Sequence, residues 1–245
     1  MAEKIIVPVY HEAISRFSGS DYFRVVLFGA SNTERYYPFS HWADVLEAGF
    51  WHKFGRKFHI INSGVSGNNT REALSRFDRD VADFKPDMVI VTLGGNDCIP
   101  ALDRHVPEEE FVKNLLLIAQ KVRDCGALVV FQTYYKMDAP AMEPVRAVNF
   151  VKYMDLVRQA ARECNAFLVE QFQLFDQVDR DTLRYKLLMN AMHVNEYGNM
   201  LMGVNLLYNF GIEAADIMHA EKLQAAVHLF WKFADRTAWL NRVKD

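Results

Sequence analysis

Short, unbroken apolar runs recur along the chain at 24–28 (Arg24-Val25-Val26-Leu27-Phe28), 58–62, 87–93, 127–131 and 166–169. Continuous rather than alternating apolar character is the habit of strands buried on both faces of a parallel sheet. Between these runs, apolar residues return at helical spacing: Trp42, Val45, Leu46 and Phe50; Leu74, Phe77 and Val81; Phe111, Leu115, Ile118 and Val122. The last set follows Pro107 and three acidic residues, which start a helix well: proline has no N–H to lose there, and carboxylates complement the helix dipole. A longer helix is expected over 143–164, one after Asn195 and another near 215–235. This alternation predicts a three-layer α/β/α sandwich around a central, mostly five-stranded parallel sheet with right-handed crossovers. No linker, repeat or low-complexity stretch divides the chain. A single domain over 1–245 is expected, with residues 1–20 as an arm or added helix and 212–245 as a helical extension.

In such a sheet the functional face lies at the carboxyl ends of the strands. Small and polar residues gather there. The first run ends in Gly29-Ala30-Ser31-Asn32-Thr33, the second in the loop 62–70, the third in Gly94-Gly95-Asn96-Asp97, and the fourth in Gln132-Thr133-Tyr134-Tyr135. A late loop carries Asn190-Ala191-Met192-His193. A Gly-X-Ser turn at a strand end lifts its serine clear of the sheet, where a nucleophile has to sit.

Composition narrows the classes. The 245 residues are 51% hydrophobic, enough for one large core. A net charge of −3 without a basic run argues against nucleic-acid or anionic-membrane partners. The N-terminal residues are too short in apolar character for a signal peptide, and no run reaches membrane-spanning length. Three cysteines without metal or redox spacing read as reduced thiols of a cytoplasmic protein, although a chain whose leader had been removed would read the same way. Asp103-Arg104-His105 offers two ligands, too few for a metal site. No phosphate-cradling glycine fingerprint supports a flavodoxin-like cofactor binder. No cofactor or metal is expected, and oligomeric state is not legible.

The ordered blocks Gly29-Ala30-Ser31, Gly67, Gly94-Gly95-Asn96-Asp97 and Asn190-Ala191-Met192-His193 resemble those of the SGNH, or GDSL, hydrolase superfamily, over roughly residues 24–210. Two positions depart from its pattern: Ala30 and Asn190 stand where the family usually carries Asp. The resemblance implies a flavodoxin-like α/β/α fold and a serine esterase acting on a small-molecule ester. It implies Ser31 as nucleophile, His193 as general base, and the Ser31 N–H, the Gly67 N–H and the Asn96 amide as oxyanion donors. Tyr134, Tyr135 and Met192 are candidates to line the substrate pocket.

The chemistry explains the residue types. A serine hydroxyl is a poor nucleophile until a base removes its proton, and histidine's unperturbed pKa suits that task. For Asn190 three readings stand: a Ser–His dyad steered by Asn190, a carboxylate supplied by Asp176, Asp179, Asp181 or Glu196, or a weakened enzyme. Asp97 is expected to shape its turn, while Trp42 and His41, His52 and His59 are expected to be structural. Cys98 is a rival nucleophile for which no base is placed. The substrate is expected to be a small acyl ester, such as a carbohydrate O-acetyl group. Lysophospholipase, thioesterase or acyltransferase use of the same site is an alternative, as is a glycan-binding relative without the chemistry.

Overall fold

A computed structural model of the chain describes residues 4–19, 21–35, 40–101, 103–214 and 221–244. The sheet has five strands, β1 (Phe23–Gly29), β2 (Phe58–Gly64), β3 (Met88–Thr92), β4 (Leu128–Gln132) and β5 (Phe167–Val169), in the order β2-β1-β3-β4-β5. The strands are parallel and the sheet is flanked by helices, the expected α/β/α class. Register follows Val26↔Val89, Val89↔Val129 and Val130↔Phe167 across the central pairs. Every residue of β3 and β4 is buried, as unbroken apolar runs require. Strand β2 differs: His59 and Asn62 are exposed and Ile60 and Ile61 only half-buried, because it forms an edge of the sheet.

The helices are α1 (His11–Gly19), α2 (Trp42–Phe54), α3 (Thr70–Asp80), α4 (Glu108–Asp124), α5 (Pro144–Glu163), α6 (Gln171–Asp176), the one-turn α7 (Arg180–Thr182), α8 (Glu196–Asn209), α9 (Glu221–Phe233) and α10 (Arg236–Lys244). A π-helical turn covers Leu183–Leu187. Helix α1 buries Phe17, and Ile5 upstream of it forms a bridge with Ala234. The helix expected near 215–235 is α9, residues 215–220 lying outside the described set. Helix α10 follows it within the stretch read from the sequence as a helical extension. It is anchored by Trp239, buried and donating 2.8 Å to the Tyr208 carbonyl.

The chain divides into two compact units. One comprises Met1–Phe23, Phe39–His59 and Gln173–Asp245; the other comprises Arg24–Pro38 and Ile60–Phe172. The first holds an aromatic cluster in which the Phe17 ring lies within 5.6 Å (centroid to centroid) of Phe23, Phe50, Phe54, Phe58 and Phe210. Trp42 is fully buried there, as expected of a core residue, and His41 caps α2 by accepting from the Ala43 N–H. The second unit carries the strand-end loops.

Candidate active site

Ser31 follows β1 in a tight turn whose Ala30 carbonyl accepts both the Thr33 and Glu34 N–H groups at 2.9 Å. A side chain at Gly29 would place its Cβ 2.2 Å from Thr33 Oγ1, so the turn admits only glycine there. Ser31 is half-buried while Asn32 and Thr33 beside it are buried. Ala30, where the motif usually has Asp, is fully buried.

The loop after β2 is organised by the start of α3. Asn69 caps that helix, accepting from the Glu72 N–H, while the Glu72 carboxylate accepts from the Asn69 N–H. This reciprocal pair satisfies two donors that a helix end otherwise leaves open. Gly67 sits just upstream with φ +80, a left-handed conformation that glycine adopts without strain. Its carbonyl accepts from the Arg104 guanidinium. Its N–H has no protein acceptor among the described residues.

Asn96, after β3, is half-buried and donates from Nδ2 to the Asn68 carbonyl at 2.9 Å. That bond fixes which end of the amide is the donor and leaves its second N–H for another acceptor. Asp97 does shape its turn: Oδ1 accepts from the Thr70 N–H at 2.8 Å and the Thr70 hydroxyl at 2.6 Å, tying this loop to the first residue of α3. Burial pushes the Asp97 carboxyl above the usual carboxylate range, with the Thr70 donors opposing. Cys98 is buried, and burial raises its thiol to about 12, the reverse of what an activated nucleophile needs.

Tyr134 and Tyr135 are buried at 2% and 0% exposure. A Cβ on Gly95 would come within 3.0 Å of the Tyr134 ring, and the Tyr135 hydroxyl donates to Asn32 Oδ1. Both tyrosines therefore pack directly behind the two turns that carry Ser31 and Asn96. Burial raises the Tyr134 pKa, with Asp97 adding to it.

One residue of this unit escaped the sequence reading. The buried face of α3 carries Thr70, Ala73, Arg76 and Phe77, so Arg76 occupies a face on which an arginine is not expected, while Leu74 is only half-buried. Burial lowers the Arg76 pKa, and Asp80 works against that lowering. No local pattern signals its role, because apart from Asp80 its partners lie outside its own helix, as far back as Gly29.

The last block lies in the other unit. Leu188 and Val194 form an antiparallel bridge, and the Met189 N–H donates to the His193 carbonyl, closing a small loop over 189–193. Within it, Asn190 Oδ1 accepts from the Met192 and His193 N–H groups, each at 2.9 Å, and lies 3.1 Å from His193 Nδ1. Two backbone donors require an acceptor, so they fix this amide with its oxygen toward the ring. The contact with Nδ1 is then a hydrogen bond only when Nδ1 carries the proton, in which case the ring's lone pair is on Nε2. Met192 is half-buried beside it. Of the alternative acids, Asp179 caps α7 by accepting from the Thr182 N–H. A cavity of about 810 Å³ in this unit is lined by Thr182, Tyr185, Leu187, Tyr197, His228 and Leu229 among others, and by neither Asn190 nor His193.

Comparison with known proteins agrees with these blocks. The model of the GDSL-like lipase/acylhydrolase family matches residues 27–201. The acetylxylan esterase of Geobacillus stearothermophilus is 25% identical over 160 residues, covering 63% of this chain and 73% of that protein. The uncharacterized lipoprotein YqeF of Bacillus subtilis is 31% identical over 124 residues, 47% of this chain and 49% of its own, so the chain spans about half the length of that relative. The crystal structure of the Geobacillus acetylxylan esterase Axe2 shares the fold with a TM-score of 0.68 at 22% identity, over 81% of this chain and 97% of that one. The family match runs from β1 into α8 and takes in all four sequence blocks: the chain belongs to the GDSL-like lipase/acylhydrolase family, within the SGNH superfamily of ester hydrolases.

Proposed function

We propose that this protein is a serine esterase that hydrolyses a small acyl ester, with a carbohydrate O-acetyl group as the substrate class. In this reading His193 Nε2 takes the proton of Ser31 Oγ as the hydroxyl attacks the ester carbonyl. The negative charge that develops on the carbonyl oxygen is met by the Ser31 N–H, the Gly67 N–H and the second Asn96 N–H. Three such donors are a strong source of rate, since losing one typically costs about 10²–10³ in kcat. Collapse of the tetrahedral intermediate breaks the bond to the alcohol, which leaves with the proton held by His193. Water, deprotonated by the same imidazole, then attacks the acyl-enzyme and releases the acid.

The observation that carries this reading is the Asn190 oxygen facing His193 Nδ1. An asparagine in the acid's place is damaging in a serine protease because it selects the wrong tautomer. Here the amide is held the other way round, so the tautomer suits a base at Nε2 and only the charge of an acid is missing. In Axe2, catalytic mutants replace a serine, an aspartate and a histidine, the aspartate three positions before the histidine. Asn190 stands at the same spacing before His193. The acetyl-carbohydrate substrate rests on the same relative. In this proposal Met192 borders the bound ester, and Tyr134 and Tyr135 back its pocket.

Labelling with a fluorophosphonate, followed by mass spectrometry of the Ser31 peptide, tests the proposal. Ser31 is expected to be modified, and the modification to disappear in His193→Ala together with turnover of p-nitrophenyl acetate. An unlabelled Ser31 with no turnover would leave a glycan-binding relative that kept the cleft without the chemistry.

A further inference from the structure

Arg76 is 8% exposed, and its guanidinium makes four hydrogen bonds. Nη2 donates to the Gly29 carbonyl at 2.9 Å, and Nη1 donates to the Ser63 carbonyl at 2.8 Å and to Asp80 Oδ2 at 3.1 Å. Nε donates to Asn68 Oδ1 at 2.6 Å. The same cation lies 4.6 Å from the centre of the Phe28 ring. Of these partners only Asp80 belongs to its own helix. The rest lie at the ends of β1 and β2 and in the loop beyond.

The partners have one thing in common. Gly29 is two residues before Ser31, and its carbonyl also accepts from the Val65 N–H at 3.1 Å, joining the two strand ends. Asn68 directly follows Gly67, and its carbonyl is the acceptor that orients the Asn96 amide. One rigid cation thus grips the turn before Ser31 and the residue that links Gly67 to Asn96. We infer that Arg76 is a positioning residue of the oxyanion hole, setting the mutual placement of the Ser31, Gly67 and Asn96 donors. The inference rests on the proposed function in taking those three groups as oxyanion donors.

The physical case is one of geometry. Donors contribute to rate only when they already point to where charge will develop, and a small displacement forfeits much of the effect. Arginine suits the task because its donors form a planar fork, whereas lysine offers one nitrogen on a flexible stem and cannot reach Gly29, Ser63 and Asn68 together. A purely structural role predicts something else. A buried ion pair is weak evidence for stability, and its loss would lower the melting temperature while leaving the folded fraction fully active.

The test pairs Arg76 with its softer partner, Asn68, which is half-buried and carries less risk to folding. With p-nitrophenyl acetate, Arg76→Lys and Arg76→Met are expected to lower kcat about tenfold or more with KM changed by less than about twofold. Asn68→Ala is expected to lower kcat by about fivefold, and Asn68→Asp, which keeps the acceptor, to hold it near wild type. The Arg76→Met/Asn68→Ala double variant should be no slower than Arg76→Met alone, because both break one link. Folded Arg76 variants with wild-type kcat, or losses that multiply in the double variant, would overturn the inference. Hydrogen exchange reads the restraint even if the wild-type protein turns out to have no esterase activity, the result that would sink the proposed function alone. Amides over 29–33 and 64–70 should exchange about tenfold faster in Asn68→Ala and Arg76→Lys; unchanged exchange there removes Arg76 from the role.

Discussion

Asn190 Oδ1 lies 3.1 Å from His193 Nδ1 while accepting the His193 backbone N–H at 2.9 Å, so one oxygen holds both the ring and the backbone of the same residue. Asn190→Asp keeps all three acceptor contacts and adds a charge. At this distance and near a water-like dielectric, a unit charge stabilises an imidazolium by about 1.3 kcal/mol, roughly tenfold in rate. Asn190→Asp is therefore expected to raise kcat on an activated acetyl ester about tenfold. It should also move the acid limb of the kcat/KM profile to higher pH, because a neighbouring carboxylate favours the protonated ring. Asn190→Ala, which frees the imidazole to turn, should lower kcat. An unchanged rate and profile in Asn190→Asp would mean that this position does not serve as the acid's.

Gly67 combines a φ of +80 with the Arg104 guanidinium 3.2 Å from where a Cβ would stand. Alanine there is strained by about 1–2 kcal/mol and must push against that side chain. The backbone relieves this by rotating, which turns the Gly67 N–H away. Gly67→Ala is expected to reduce kcat by about 10²-fold with little change in KM. Steady-state kinetics check this, and a variant with normal kcat would remove Gly67 from the oxyanion donors.

Cys98 sits next to the Asn96-Asp97 turn with its thiol buried and raised to about 12. The thiolate is the reactive form, so the folded protein should leave Cys98 unmodified by iodoacetamide at pH 8, and only denaturation should expose it. Cys98→Ser should retain turnover. Peptide mapping after alkylation decides between this and a cysteine nucleophile.

The buried Asp97 carboxyl has a raised native pKa, so the folded state holds its proton more tightly than the unfolded chain. Stability contributed by this group is greatest below the unfolded aspartate value of about 3.9 and is lost as pH rises through the native value. Asp97→Asn keeps an oxygen to accept from Thr70 and removes the titration. The stability difference between Asp97→Asn and wild type, from urea midpoints between pH 4.5 and 8, should grow in favour of the variant as pH rises. A constant difference would show that the group stays ionised throughout.

How far the sequence could be read follows from how local each signal is. Strands β3 and β4 were legible because burial on both faces writes an unbroken apolar run, whereas edge strand β2 carries exposed His59 and Asn62 within an equally strand-like stretch. Helix α10 carries little pattern, since Trp239 is its buried anchor while Leu240 beside it is exposed. Ser31, Gly67, Asn96 and His193 stand in blocks that sequence order reveals. Arg76 does not, because an arginine on a helix reads as solvent-facing until Gly29 and Asn68 are brought to it. The Asn190 amide orientation was open for a similar reason: two backbone donors decide it, and neither is visible in residue identity.

The aromatic cluster around Phe17 has a consequence for how the chain is made. Phe17, Phe23, Phe50, Phe54 and Phe58 are all synthesised early, but Phe210, which closes the cluster against Phe17 and Phe50, belongs to the final segment. At about 5–20 residues per second, the ribosome needs roughly 8–30 s to travel from Phe58 to Phe210. During that interval five phenylalanine rings wait for the partner that completes their packing. A nascent chain stalled before α8 would carry these rings without Phe210, so the cluster reaches its native packing only once the last segment has been made.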